Sequence, residues 1–250
     1  MRVGVIGSSD SPLRCYVLRE DPELAEAIPF DRRDQAVEEC TAPELVLQPG
    51  PWGGRGSLGF RGGIGVLVLG GLMIRRVGID GRYGAELIGE GDLLRPNDES
   101  VSPLLPITTN WSIVAPTRVA ALDGSFEQRI AKYPELARGL VARAIQRSKN
   151  LAVNMAIVHQ ARVDVRLHML LWHLAARWGR VRSDGTVLKL RLTHSVLADL
   201  VAARRPTVTT ALSELTRRGV VRTDGETWLL FGEAPRELVA LTRESHRPPE

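Results

Sequence analysis

Cysteine is scarce: this 250-residue chain has two, Cys15 and Cys40, and none beyond them. Two thiols cannot build a disulfide framework, a Cys-ligated zinc site or a four-cysteine iron–sulfur cluster, and they suit a reducing compartment. Long apolar runs are also lacking. The longest, Ile64 to Ile74, is interrupted by Gly65, Gly70 and Gly71 and is too short to cross a bilayer. The apolar start Val3 to Ile6 is far shorter than the h-region of a signal peptide, so a cytoplasmic protein with no membrane partner is expected. Catalytic signatures are missing too. No Ser-His-Asp or paired-carboxylate pattern stands in a supporting context. Gly4-Val5-Ile6-Gly7 lacks both the glycine-rich turn and the acidic residue of a dinucleotide-binding unit. Pro49 to Gly56 reads as a loop, and no Gly-Lys-Ser/Thr follows it to make a phosphate cradle. These absences argue against an enzyme and call for no cofactor and no metal.

What is present is positive charge, unevenly placed. The chain's formal net charge is +4, yet Arg162 to Glu226 alone holds twelve Lys+Arg against six Asp+Glu. Such concentration is the footprint of a nucleic-acid surface. With 44% hydrophobic and 25% charged residues, the chain can bury two modest cores under an ordinary solvated surface.

Within the basic segment, LTHSVLADLVAARRPTVTTALSEL spells two short amphipathic helices around a tight turn. Val196, Leu197, Leu200 and Val201 share one face of the first; Val208, Ala211, Leu212 and Leu215 share one face of the second. Thr193 is an N-cap candidate, and Pro206 falls in a first turn, where its missing N–H is harmless. The outer face of the second helix carries Arg204, Arg205, Thr207, Thr209 and Thr210. These are donors without an acid among them, which suits phosphates and the major groove. Val220-Val221, the Asp224-Gly225 turn and Trp228 to Phe231 then make a hairpin, the wing of a winged helix-turn-helix.

These residues resemble the DNA-binding region of the Crp/Fnr transcription regulators, and the resemblance extends, more loosely, from Ile64 to Phe231. It implies an N-terminal, cyclic-nucleotide-binding-like β-roll. In the family an Arg-Glu-Thr run opens the recognition helix, its Arg reading guanine, its Glu reading bases opposite and its Thr holding a phosphate. Arg205, Pro206 and Thr207 stand there in this chain, and Thr210 matches a further base-reading Arg. Arg205 keeps the guanine-reading chemistry; Pro206 and Thr210 do not keep theirs, so the half-site should differ. Ala202 replaces the glycine of the turn, which is tolerable with a negative φ. His194, beside the cap, can touch a DNA phosphate.

The N-terminal half reads as β-structure from Ala42 to about Asp123: Val66 to Leu69, Leu72 to Val77, an Asp80-Gly81 turn, Tyr83 to Ile88 and Ile113 to Leu122. Cyclic-nucleotide binders of the family carry a Gly-Glu pair on a short helix and, about ten residues later, an Arg for the phosphate. Here Gly91-Asp92-Leu93-Leu94-Arg95-Pro96 holds that place, and Asn97 to Asn110 contains no Arg. A cyclic phosphate buried without a cation is expensive. Arg95 and Arg118 are candidates for another anion, against the plainer reading of solvated loop arginines.

Between the halves lies a helical segment, Phe126 to about Val158, with a kink or restart at Pro134-Glu135. Val141, Ala144, Ser148, Leu151, Met155 and Val158 follow a heptad stripe, either a dimer seam or packing against the chain's own roll; the family resemblance favours the seam. A further helix, Val163 to Trp178, presents Leu167, Leu170, Leu171 and Leu174 to the winged-helix core. His168 and His173 on it read as packing residues, since five apart is not a two-ligand spacing; His159 and His246 have no evident partner.

The expected fold is α+β: a β-roll (double-stranded β-helix) over 1–125, a long dimerisation helix over 126–160 and a winged helix-turn-helix over 161–250. The expected function is a homodimeric, sequence-specific regulator on a palindromic operator in double-stranded DNA, with RNA polymerase as a further partner and an unidentified effector. The alternatives are a winged-helix protein-interaction module, a regulator answering to a non-nucleotide effector, or a nucleotide-using enzyme.

Overall fold

A computed structural model describes residues 13–53, 63–79, 82–96, 107–235 and 238. The chain divides into two compact units, Met1–Leu151 and Ala152–Glu250. The first opens with elements that the sequence pattern did not announce: strand β1 (Arg14–Tyr16) and helices α1 (Val17–Glu20), α2 (Pro22–Glu26) and α3 (Phe30–Glu39). Asp21 caps α2, accepting from the Leu24 N–H, with Pro22 in the first turn.

Strands β2 (Thr41–Leu47), β3 (Gly50–Trp52), β4 (Gly65–Ile79), β5 (Arg82–Gly89), β6 (Leu93–Leu94) and β7 (Ile107–Leu122) follow. The sheet order is β1-β2-β7-β4-β5, with β3 also on β7 and β6 on β4, all antiparallel. Several boundaries differ from the sequence reading. The runs Val66 to Leu69 and Leu72 to Val77 are one strand, because Gly70 and Gly71 form an irregularity inside it rather than a break. Gly71 has φ +95, and a Cβ there would lie 2.3 Å from the Pro116 carbonyl oxygen. The fully buried Thr117 hydroxyl repairs the ladder at that point, accepting from the Leu72 N–H at 3.0 Å and donating to the Ala115 carbonyl at 2.7 Å. The last strand starts at Ile107 rather than Ile113, and the Pro49 to Gly56 loop contains β3, because both pair within the ladder. The Asp80-Gly81 turn and Gly4-Val5-Ile6-Gly7 lie outside the described residues.

Two clusters share this sheet. Leu47, Trp52, Val66, Val68, Met73, Ile88, Trp111 and Val119 form one, with Trp52 and Trp111 edge to face at 5.5 Å. The other joins Val17, Leu18, Ile28, Leu67, Leu122, Phe126, Leu136 and Leu140, so it brings the sheet together with the N-terminal helices and with α4 (Gly124–Ile130) and α5 (Pro134–Val158). Pro134 starts a new helix, as the restart signal suggested.

The second unit holds α6 (Val163–Trp178), β8 (Gly179–Arg182), β9 (Gly185–Lys189), α7 (His194–Leu200), α8 (Arg205–Arg217), β10 (Val221–Asp224) and β11 (Thr227–Leu230). Its antiparallel sheet runs β10-β11-β9-β8, so the wing is paired to a β8–β9 hairpin absent from the sequence reading. Leu167, Leu170, Leu171 and Leu174 are buried as expected, as are Leu197, Leu200, Val208, Leu215 and Trp228.

Candidate nucleic-acid interface

Thr193 caps α7, its hydroxyl accepting from the Val196 N–H at 3.2 Å. Val196, Leu197, Leu200 and Val201 are buried, as are Val208, Ala211, Leu212 and Leu215 of α8. The polar face of α8 is therefore turned outward: Arg204, Arg205, Pro206, Thr207, Thr209 and Thr210 are all exposed. The Thr209, Thr210 and Ser213 hydroxyls donate to the carbonyls of Arg205, Pro206 and Thr209 at 3.1 to 3.2 Å. With their protons donated inward, these oxygens are left with lone pairs that can accept. Among the described residues no carboxylate pairs with Arg204 or Arg205, whereas Arg217, further along the helix, is held bidentately by Glu214 at 2.8 and 3.0 Å. His194 reaches across from α7, its Nδ1 2.8 Å from the Thr209 hydroxyl.

The turn corrects one expectation. Ala202 has φ +49, in the left-handed region, rather than a negative φ. Such a backbone costs an L residue about 1 kcal/mol and needs external support. Arg166 of α6 supplies it: its guanidinium donates to the carbonyls of Val201 at 3.0 Å and Ala202 at 3.3 Å, and to that of Gln160 at 2.6 Å. Asp164, one turn before Leu167, ties the other end of the motif. It takes Arg162 at 2.8 Å and Arg218, the C-cap of α8, at 3.3 Å. Burial opposes its charge, but the Arg162 hydrogen bonds and the Val165 N–H prevail and hold the carboxyl below its usual range. Neither Arg166 nor Asp164 was singled out from the sequence. The one available signal was their polar character on an otherwise apolar helix. On the same helix His168 accepts from the Trp172 indole at 3.1 Å. Burial, with Arg177 adding like charge, pushes His173 down to about 4.

In the first unit, Arg118 lies on β7 between Glu44 at 2.6 Å and Glu20 at 3.0 Å, so its charge is already met by two carboxylates rather than solvated on a loop. Arg95 is exposed after β6. Where the family's short Gly-Glu helix would stand, Leu93-Leu94 pair with β4, and the Asp92 carboxylate accepts from the Gly89 N–H at 2.9 Å. Arg143 and Arg147 lie on successive turns of α5, the first reaching the start of α2 and the second the sheet. Arg143 meets Asp21 at 2.7 Å; Arg147 holds Glu86 bidentately at 2.7 and 2.8 Å, and Arg75 shares that carboxylate at 3.0 Å. On another face of α5 the stripe is open, with Val141, Ala144, Ser148 and Met155 exposed and Leu151 and Val158 half-buried. An apolar groove of about 760 Å³ runs along its first half, lined by Ile64, Leu93, Ile130, Val141, Ala144 and Ile145 among others.

Residues 165–231 match the Crp-like helix-turn-helix domain family. The chain is 28% identical over 170 residues to the CRP-like cAMP-activated global transcriptional regulator of Mycobacterium tuberculosis, spanning 66% of this chain and 74% of that protein. Its fold is similar to that of a cyclic nucleotide-binding domain containing protein from Listeria monocytogenes (TM-score 0.60, 13% identity, 84% of this chain and 96% of that one). It is also similar to that of a CooA mutant from Carboxydothermus hydrogenoformans (TM-score 0.58, 16% identity, 95% and 97%). Fold and helix-turn-helix together define a DNA-binding protein with an N-terminal antiparallel roll and a C-terminal winged helix. Within that class the helix-turn-helix belongs to the Crp-like family, and the chain is similar to transcription regulators of the Crp/Fnr type.

Proposed function

We propose that the chain acts as a cytoplasmic homodimer on a palindromic operator, without catalytic activity of its own and with RNA polymerase as a further partner. Thr193, His194, Arg204, Arg205, Pro206, Thr207, Thr209 and Thr210 form the DNA face. The observation that carries this reading is the outer face of α8, where Arg204 and Arg205 have no carboxylate partner among the described residues. Unmatched guanidiniums suit phosphates and guanine edges, and a hydroxyl oxygen that has donated inward can accept from a base amino group. The seam is the stripe of Val141, Ala144, Ser148, Leu151, Met155 and Val158, which supports a parallel helix pair because its apolar residues are left open in the single chain. Two recognition helices would then meet half-sites about 34 Å apart, one helical turn. The test is sedimentation of Met155→Asp beside the wild type. Met155 is 63% exposed, so a charge there leaves the single chain folded. Monomers that no longer protect an inverted repeat are expected; an intact dimer would place the seam elsewhere.

The effector reading departs from the mycobacterial relative, whose name describes it as cAMP-activated. In this chain Asn97 to Asn110 contains no Arg, and Arg118 is engaged by Glu44 and Glu20. We infer that cyclic AMP is not its effector, and that Arg95 and Arg118 are the candidates for a different anion. Calorimetry with cyclic AMP and cyclic GMP is expected to show no micromolar isotherm; a clear one would reverse the inference.

A further inference from the structure

The contact between His194 and Thr209 does more than place a side chain near DNA. It joins the two helices of the motif through a single hydroxyl. Thr209 Oγ1 lies 3.1 Å from the Arg205 carbonyl, one helical turn back, and 2.8 Å from His194 Nδ1. A threonine hydroxyl has one proton to give, and here the Arg205 carbonyl, four residues back, is its acceptor. The oxygen then meets Nδ1 with a lone pair, so Nδ1 is the N–H of the ring. Two states of the imidazole follow. When neutral, it carries its proton on Nδ1 and presents a bare Nε2 lone pair outward, which cannot donate to a phosphate oxygen. When protonated, every hydrogen has an acceptor: Nδ1–H on Thr209, the Thr209 hydroxyl on the Arg205 carbonyl, and Nε2–H free for an anion.

We propose that His194 is a proton-dependent phosphate contact, with Thr209 as the positioning residue that fixes its tautomer, so that operator binding takes up a proton at each recognition helix and tightens as pH falls. The proposal rests on the DNA-contact reading of this face and adds its chemistry. The charges around the pair favour the same sign. Arg204 and Arg205 flank it at the start of α8. Arg191, before α7, pairs with Glu226 at 3.4 Å on the wing. Of the carboxylates on the two helices, Asp199 is at the far end of α7 and Glu214 is held by Arg217. Among the described residues no carboxylate bonds His194, so the counter-charge for the imidazolium is the DNA itself.

The experiment uses the full chain and a duplex that the wild type selects from a randomised pool, with fluorescence anisotropy from pH 8 to pH 6 at fixed ionic strength. Across that range binding should tighten roughly tenfold for each recognition helix engaged. His194→Gln should flatten the profile and bind at pH 6 as the wild type does at pH 8. Thr209→Val should lose most of the slope, and Thr209→Ser should recover it, which a merely structural role for Thr209 would not produce. Nitrogen NMR of the neutral wild type should find the His194 proton on Nδ1, and in Thr209→Val on Nε2. A flat wild-type profile, a wild-type slope in His194→Gln or Thr209→Val, or an Nε2–H tautomer in the neutral wild type overturns the proposal while leaving DNA binding intact. A chain that selects no duplex at any pH overturns the DNA-contact reading beneath it.

Discussion

The two units use arginine in opposite ways. In the first, arginines of the sheet and of α5 are met by acids: Arg118 by Glu44 and Glu20, Arg143 by Asp21, and Arg75 and Arg147 by Glu86. In the second, Asp164 gathers Arg162 and Arg218 at the base of the motif, while Arg204 and Arg205 on the outer face of α8 have no carboxylate opposite them among the described residues. A charge matched inside the protein holds the fold, and a charge left unmatched on an exposed helix face is open to a partner. The same residue type therefore has two roles, separated by whether a carboxylate was placed opposite it.

That contrast can be broken most forcefully at Glu86. It is 8% exposed and serves two guanidiniums, so Glu86→Ala removes the carboxylate that both partly buried groups share. A loss of about 3–5 kcal/mol in the stability of the first unit is expected by denaturant titration, the scale for breaking a buried pair from one side. A loss under 1 kcal/mol would mean that water already screens the cluster. At the other pole, Arg205→Ala should leave stability unchanged. It should weaken binding to the selected duplex by about 1–3 kcal/mol and to random DNA much less. Equal losses on both duplexes would make Arg205 a phosphate contact.

His173 gives the winged helix its own acid sensitivity. Its folded value, near 4, lies below the ordinary 6.5, so as pH falls below 6.5 the unfolded chain takes up a proton that the folded one refuses. Stability present above pH 6.5 is lost progressively down to pH 4, by on the order of 2 kcal/mol once the ring's partial exposure is allowed for. His173→Phe should remove that part of the slope in a thermal-melt series; an unchanged slope would assign it to other groups. The smallest effect is expected at the turn. Ala202→Gly should stabilise the second unit by roughly 0.5–1 kcal/mol, because glycine holds φ +49 without strain. If it destabilises, Arg166 already compensates the turn and the extra chain entropy of glycine dominates.

The winged helix was the most legible region because its signals are local. The i, i+3, i+4 stripes of α7 and α8, the Thr193 cap, Pro206 and the Asp224-Gly225 turn each act within a few residues, and Gly225 does adopt φ +61. The antiparallel sheet was legible as a class but not in its boundaries. Whether Gly70-Gly71 breaks a strand or bends it depends on Thr117, distant in sequence, offering a hydroxyl to the Leu72 N–H. The N-terminal helices carried little signal: α1 and α2 are four and five residues long, too short for a helical period to emerge.

What the chain's order of residues determined by itself was therefore short-ranged: helix faces, caps, turns, the excess of positive charge in one segment, and the donors gathered on one helix. Only the tertiary structure decided which charges are spent internally. No spacing rule links Glu86 to Arg147 or Arg118 to Glu20, and ion pairing acts through distance in space rather than along the chain. The same holds for the Ala202 backbone, left-handed because Arg166 and the docking of two helices define the turn, and for His194, whose partner at Thr209 appears when α7 and α8 are packed.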